Sequence, residues 1–180
     1  MGDLPPDRVK PQRAFSVSGV DFAGPITTLV NKGRGRKTNK SYIAVFDCFS
    51  TKAIHLEGAN NELLELYQLL ETESHNSIND FCSVQKIDWS FIPPLAPHMG
   101  GLWEAGVKSC KFNLKRMIGL TLLTFEELCT VLEQIEACIN SRPLYSLPST
   151  LFDLQPLTPA HFLIGEPLTN LPDPDIKKFP

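Results

Sequence analysis

Apolar and polar positions alternate in short runs over the first 56 residues. Residues 15–22 begin with such an alternation and stop at Gly24-Pro25, which predicts a short strand that ends there. Residues 42–46 and 53–56 predict two further strands, joined by a tight turn through residues 47–51. This short connection predicts an antiparallel meander, because parallel neighbours need a long crossover.

The apolar period changes from two to about 3.6 after Gly58. It predicts helices over residues 60–73 and 77–84, and an alternating run over residues 87–92 predicts another strand. Residues 102–118 place Trp103 and the following apolar side chains on one helical face, so Trp103 is expected in the core. Gly119 ends this helix. Thr124 opens a capping box for a helix that runs to about residue 140.

Three regions follow from this order of elements. Residues 1–13 are rich in proline and charge and predict an extended lead-in. Residues 14–145 hold the predicted strands and helices and make up an α/β domain. Residues 146–180 are proline-rich and irregular, apart from an expected turn at residues 159–163.

Composition adds few constraints. The 180 residues fit one domain, and a net charge of −3 argues mildly against a protein that coats DNA non-specifically. No apolar run approaches the roughly 18 to 20 residues that span a bilayer, and no signal peptide is seen, so we expect a nuclear or cytoplasmic protein rather than a secreted one. The five cysteines form no CxxC pair, which favours buried free thiols over zinc or disulfides.

Four motifs follow one another along the chain: GVDFAGP at residues 19–25, IPPLAPHMGGLWE at 92–104, NSRPL at 140–144 and LTPAHFLIG at 157–165. In this order they resemble the integrase catalytic core of LTR retrotransposons, most closely the BEL/Pao branch, over nearly the whole chain. The resemblance implies a ribonuclease H-like α/β fold, with a mixed sheet flanked by helices. It also implies DNA integration, with the retroelement ends and target DNA as partners and Mg²⁺ or Mn²⁺ as cofactor.

Two catalytic, metal-binding residues are carried over from this family. Asp21 matches its first aspartate and Glu104 its glutamate; two hard cations on such carboxylates would stabilise the attacking and leaving oxygens at phosphorus. From the sequence alone, Asp21 is equally well explained as a turn-capping residue. Glu104 is also a residue that the helix dipole favours in a first turn.

The chain departs from the family at the second aspartate. The family's strand that carries it precedes a Gly-Ala-Asn sequence, whereas here residues 53–57 lead straight into that sequence, so one helix and one central strand are missing. We therefore expect impaired catalysis and doubtful dimerisation, with residues 87–92 pairing directly with residues 16–22 or a gap in the sheet. Asp47, expected to cap the turn after the second strand, and Glu57, on an edge strand, are not expected to substitute.

Basic residues form two clusters. Lys108, Lys111 and Lys115 follow Glu104 in one stripe of the long helix, which suits phosphate contact and equally a solvated lysine face. The second cluster, which includes Arg34, Arg36 and Lys37, lies in a loop between two predicted strands. This loop either binds phosphate, acts as a localisation signal or is a solvated hairpin loop without a binding role. His98 precedes two glycines and either positions DNA or is a satisfied loop histidine.

Three functions from different classes are consistent with these residues. The first is an active metal-dependent strand transferase, which the missing segment disfavours. The second is a non-enzymatic module that a host retains for binding DNA or protein. The third is a non-functional relic of a decayed element.

Overall fold

A computed structural model describes residues 6–33, 37–59, 83–88, 90, 100–145 and 156–168 of the chain. Over these ranges the helices and strands are, in order, α1 (Pro6–Val9), β1 (Ser18–Leu29), β2 (Thr38–Cys48), β3 (Ile54–Ala59), α2 (Gly101–Ile118), α3 (Phe125–Asn140) and α4 (Pro159–Ile164). The predicted helices at residues 60–73 and 77–84 lie outside the described residues, except for the helical end of the second at Ser83 and Val84.

The three strands form one antiparallel sheet in the order β1-β2-β3. The predicted meander is confirmed, and β2 is its central strand. The fold is therefore mixed α/β, but across the described residues the ladders are antiparallel where the resemblance implied a mixed sheet. Most of residues 87–92 lies outside the described part, and Ile87, Asp88 and Ser90 are not in a strand.

The prediction that the first strand ends at Gly24-Pro25 is wrong. β1 continues to Leu29 through a bulge between Ala23 and Ile26, where two residues of β1 stand opposite one of β2. Pro25 has no N–H to donate, so its position in the bulge breaks no regular ladder bond. Gly24 has φ of 153°, and a Cβ there would lie 2.6 Å from the Tyr42 ring, so the bulge needs glycine.

The hydrophobic core lies between the sheet and the helices α2 and α3. The sheet contributes Ala23, Ile43, Val45, Ile54 and Leu56, and the helices contribute Val107, Cys110, Leu114, Leu128, Leu132, Ile135 and Ile139. The helical residues recur at three- and four-residue spacing, which brings them to one face of each helix. α2 begins one residue before its predicted start and ends at Gly119, whose φ is 56°.

The predicted capping box at the start of α3 is confirmed. The Thr124 hydroxyl accepts a hydrogen bond from the Glu127 N–H at 3.3 Å, and the Glu127 carboxylate accepts one from the Thr124 N–H at 3.0 Å. These bonds satisfy helix-end N–H groups that have no partner within the helix. The same segment closes the end of β1, because the Leu29 N–H donates to the Leu123 carbonyl at 2.8 Å.

Both outer regions hold a helix where none was predicted. The lead-in is not wholly extended, since α1 brings the Arg8 guanidinium 5.4 Å from the centre of the Phe49 ring. In the C-terminal region α4 replaces the expected turn, with Pro159 and Ala160 buried and His161 closing a capping box on Thr158. None of the described helices combines the length and the apolarity needed to cross a membrane.

The cysteines are free wherever the structure describes them. Cys48 and Cys110 are buried, as predicted, and Cys129 is half-buried. The prediction is wrong for Cys138, which is exposed because it points away from the core face of α3.

Candidate nucleic-acid interface

Trp103, in the first turn of α2, packs directly against Gly19 of β1 and fixes this end of the helix. A Cβ on Gly19 would lie 2.1 Å from Trp103 Cε3, so no larger residue fits beneath the indole ring. Trp103 also stacks on Phe49, with ring centres 5.9 Å apart. Trp103 is half-buried at this contact, so it lies at the margin of the core and not within it, where it was predicted. The contact places the first turn of α2 beside the first residues of β1.

The other end of α2 lies along the second half of β1. A shallow hollow of about 270 Å³ is lined by β1 residues from Ala23 to Ile26 and by α2 residues that include Lys111 and Lys115. Since early residues of α2 meet early residues of β1 and late residues meet late ones, the two elements run in the same direction.

Asp21 lies between these two contacts. Side chains alternate across a strand, so Asp21 shares the face of Gly19 and Ala23, which is the face that α2 covers. Its Oδ1 accepts a hydrogen bond from the Phe22 N–H at 2.7 Å. The half-buried carboxyl group therefore lies on the face of β1 that α2 covers.

Glu104 and the three lysines of α2 form an exposed row. Glu104 follows Trp103 in the first turn, and Lys108, Lys111 and Lys115 continue its stripe at helical spacing. Each of the four side chains is exposed. Lys111 and Lys115 also line the hollow beside β1, so this part of the row follows the β1 side of α2.

The other predicted contacts contribute less. Arg34, Arg36 and His98 lie outside the described residues. Lys37 is exposed, and its carbonyl accepts a hydrogen bond from the Val30 N–H at 3.0 Å, which closes the β1–β2 loop. Lys32 of the same loop forms an ion pair with Glu127. This pair draws one of the loop's positive charges toward α3.

Among the described residues, no group of three or more His, Cys, Asp or Glu side chains is placed to hold a metal ion. Glu57 lies on β3 at the other edge of the sheet, as predicted. Asp21 and Glu104 are two carboxylates, one fewer than the set of three that the resemblance implies.

Asp47 is not the turn cap that the sequence predicted. It is the penultimate residue of β2, opposite Gly19, and only 2 % of it is exposed. Its Oδ2 lies under Gly106, where a Cβ would approach to 2.9 Å, and its Oδ1 accepts no hydrogen bond from the described residues. Burial raises the pKa of this carboxyl to about 6, although the charges of Arg142, Lys52 and Arg8 act in the opposite direction.

The motif at residues 140–144 has a structural role that the sequence analysis missed. Asn140 is fully buried; its Oδ1 accepts a hydrogen bond from the Ile54 N–H at 2.9 Å, and its Nδ2 donates one to the Ile54 carbonyl at 2.7 Å. One turn earlier, Glu136 Oε2 accepts a hydrogen bond from the Leu56 N–H at 2.8 Å. Side chains of α3 therefore pair the outer backbone groups of β3 as a neighbouring strand would.

Arg142 of the same motif holds the β2–β3 turn. Its guanidinium donates to the Lys52 carbonyl at 2.7 Å and to the Ile139 carbonyl at 2.8 Å. A signal for this clamp exists in the sequence: Glu136 and Asn140 continue, at four-residue spacing, the row that begins with the buried Leu128 and Leu132. Polar residues in line with an apolar row indicate buried hydrogen bonds.

Comparison of the chain with protein-family models, with curated proteins and with solved structures gives no match in any of the three. Functional conclusions therefore rest on the motifs and on the geometry above.

Proposed function

We propose that this chain is a ribonuclease H-like retroelement integrase core of the BEL/Pao type that binds DNA along α2 and has lost strand-transfer activity. The proposal rests on the arrangement of charged residues on β1 and on α2. Asp21 lies on the face of β1 that α2 covers, and the exposed lysine row continues from Glu104 along this helix.

The lysine row supports binding to a phosphate backbone. Lys108, Lys111 and Lys115 span seven residues, or roughly 10 Å at 1.5 Å per residue. That length matches about three phosphate spacings along one strand of DNA, at roughly 3.4 Å each. None of the three ammonium groups is neutralised by an ion pair with a described residue, so all are available to displace counterions.

Loss of catalysis rests on the sequence. The strand that would carry the second aspartate is absent between residues 57 and 58, and the two remaining family carboxylates are one ligand short of the set that the chemistry uses. Asp47 does not replace it, because its carboxyl is buried beneath α2 rather than open to a phosphodiester. A DNA-binding protein without transferase activity is the function that these residues support best.

Fluorescence anisotropy with a short duplex tests the binding. Replacement of Lys108, Lys111 and Lys115 by alanine should weaken binding at about 50 mM salt and lower the slope of log K against log salt by about 2.7, or 0.9 for each phosphate contact. The matched control removes three exposed charges elsewhere, with Lys10, Arg13 and Lys86 changed to alanine. Equal slopes for the two triple variants would reject the α2 interface.

A nicking assay tests the loss of activity. Purified protein with duplex DNA and Mn²⁺ should release no nicked product above a protein-free control. Nicking that disappears in both Asp21→Asn and Glu104→Gln would contradict the proposed loss and restore the transferase hypothesis.

A further inference from the structure

A groove opens at the opposite edge of the sheet from β1, between β3 and α3. Its volume is about 580 Å³. Its floor is formed by the core residues Leu56 and Leu132, which are 5 % and 1 % exposed, and its accessible apolar lining by Phe125 and Ala137 of α3 and by Leu168. Gly58 lets the helix approach, since a Cβ there would lie 2.9 Å from Cys129 Sγ. The groove is large enough to take several apolar side chains of a ligand.

Carboxylates line the groove without compensating cations. Glu57, Glu133 and Glu136 belong to the lining, which includes no lysine or arginine among the described residues. Glu136 is engaged, because it pairs with His55 Nδ1 at 2.9 Å and with the Leu56 N–H. Glu57 and Glu133 are exposed and have no ion-pair partner in the described part of the chain.

Glu126, in the first turn of α3, adds a further carboxylate to this acidic surface. Burial comes first among the causes that raise the pKa of the Cys129 thiol, followed by the negative charges of Glu126, Glu133 and Glu57. Cys129, Glu57 and Glu133 line the groove, and Glu126 lies on the exposed first turn of α3. The field of these three carboxylates excludes a nucleic acid as occupant and favours a cationic one.

The backbone of β3 determines the form of that occupant. An added strand would need the outward N–H and C=O groups of Ile54 and the N–H of Leu56, and Asn140 and Glu136 already bind these groups. Edge pairing is therefore blocked over this stretch. A helix that lays an apolar face into the groove needs no backbone bonds from β3.

We propose that this groove binds a basic amphipathic helix of a partner protein, with apolar side chains against Phe125, Ala137 and Leu168 and with lysines or arginines beside Glu57 and Glu133. The surface is separate from the DNA-binding face on α2, and the proposal does not depend on the proposed function. The net charge of −3 conceals the two surfaces, because their charges have opposite signs.

The probe is a fluorescein-labelled helical peptide of about 14 residues, built from leucine and lysine in an amphipathic pattern. Its control carries glutamate in place of lysine. Binding to the full chain is measured by anisotropy at about 50 mM salt, where exposed charges are weakly screened. The test variant combines Glu57→Gln and Glu133→Gln, and the matched control combines Asp7→Asn and Asp88→Asn, which changes the net charge equally.

We expect the lysine peptide to bind the Glu57→Gln, Glu133→Gln variant about tenfold more weakly than the control variant, because two exposed charge pairs of roughly 0.7 kcal/mol each are lost. The glutamate peptide should not bind. Bound peptide should also slow alkylation of Cys129, located by mass spectrometry of proteolytic fragments, while the exposed Cys138 keeps its rate and serves as reference.

Three results would overturn the proposal. One is absence of binding by the lysine peptide, including the case in which the chain's own residues fill the groove and Cys129 resists alkylation in the free protein. The second is equal affinity for both double variants. The third is binding that leaves the Cys129 rate unchanged, which would place the peptide elsewhere. Neither DNA affinity nor its salt slope enters any of these outcomes.

Discussion

Replacing Asn140 by alanine tests the clamp that joins α3 to β3. The substitution removes both hydrogen bonds to Ile54, at 2.9 and 2.7 Å, from a site that is fully buried. The backbone N–H and C=O of Ile54 are then left without partners, at a cost of about 1–3 kcal/mol for each group. The two groups together would cost about 2–6 kcal/mol. Because water can enter beside the shortened side chain and pair with part of this peptide group, we expect the free energy of unfolding to fall by about 2–4 kcal/mol.

Urea denaturation, followed by far-UV circular dichroism, measures this loss. With about 2–4 °C of melting temperature for each kcal/mol in a chain of this size, a thermal melt should fall by about 5–15 °C. The matched control is Asn113→Ala, because Asn113 is half-exposed and donates only to the Ser109 carbonyl of its own helix, at 2.9 Å. The control should cost less than about 0.5 kcal/mol.

A loss for Asn140→Ala no larger than that for Asn113→Ala would refute the reasoning. It would mean that the edge of β3 is satisfied without α3 and that the motif at residues 140–144 has a role other than this clamp. A change in the urea m-value of Asn140→Ala alone would instead indicate that α3 separates from the sheet before the rest unfolds.

Two further predictions concern α2 and its contacts. The native pKa of Asp47, about 6, lies above its ordinary value of 3.8, so folding favours the protonated carboxyl. The contribution of protonated Asp47 to the free energy of unfolding is complete below about pH 4 and is lost as pH rises through 6, by at most about 3 kcal/mol. Asp47→Asn should remove this loss of stability between pH 4 and 7, measured as the urea midpoint at each pH. A midpoint that falls as steeply in the variant as in the unaltered protein would contradict the prediction. Gly19→Ala should lower stability by about 1–3 kcal/mol, because its Cβ meets Trp103 at 2.1 Å. Its control is Gly33→Ala, which meets only the Asn31 side chain, at 3.8 Å, and equal melting temperatures would argue against the Trp103 contact.

Local patterns in the sequence determined the two long helices, α2 and α3. The apolar period and Gly119 defined α2 to within one residue at its start, and the Thr124–Glu127 box defined the start of α3. Both signals act over a few residues of one chain segment, so they need no knowledge of the rest. The antiparallel order of β1, β2 and β3 was likewise predicted, because a short turn permits no other pairing. Asp21 and Glu104 were selected by motif; the structure places Asp21 on the α2-facing side of β1 and Glu104 in the exposed first turn of α2.

Only the tertiary structure decided what faces each polar group. β1 continues beyond Gly24-Pro25 because β2 pairs with it on the far side of the bulge. The sequence of β1 alone does not indicate this pairing. Asp47 is buried because α2 lies over it at Gly106, and Asn140 is a structural clamp because β3 offers it an unpaired peptide group. Burial and hydrogen-bond pairing depend on residues far apart in the chain, whereas helical periodicity and capping depend on neighbours. This is why the sequence alone determined α2 and α3 but neither the end of β1 nor the surroundings of the polar side chains.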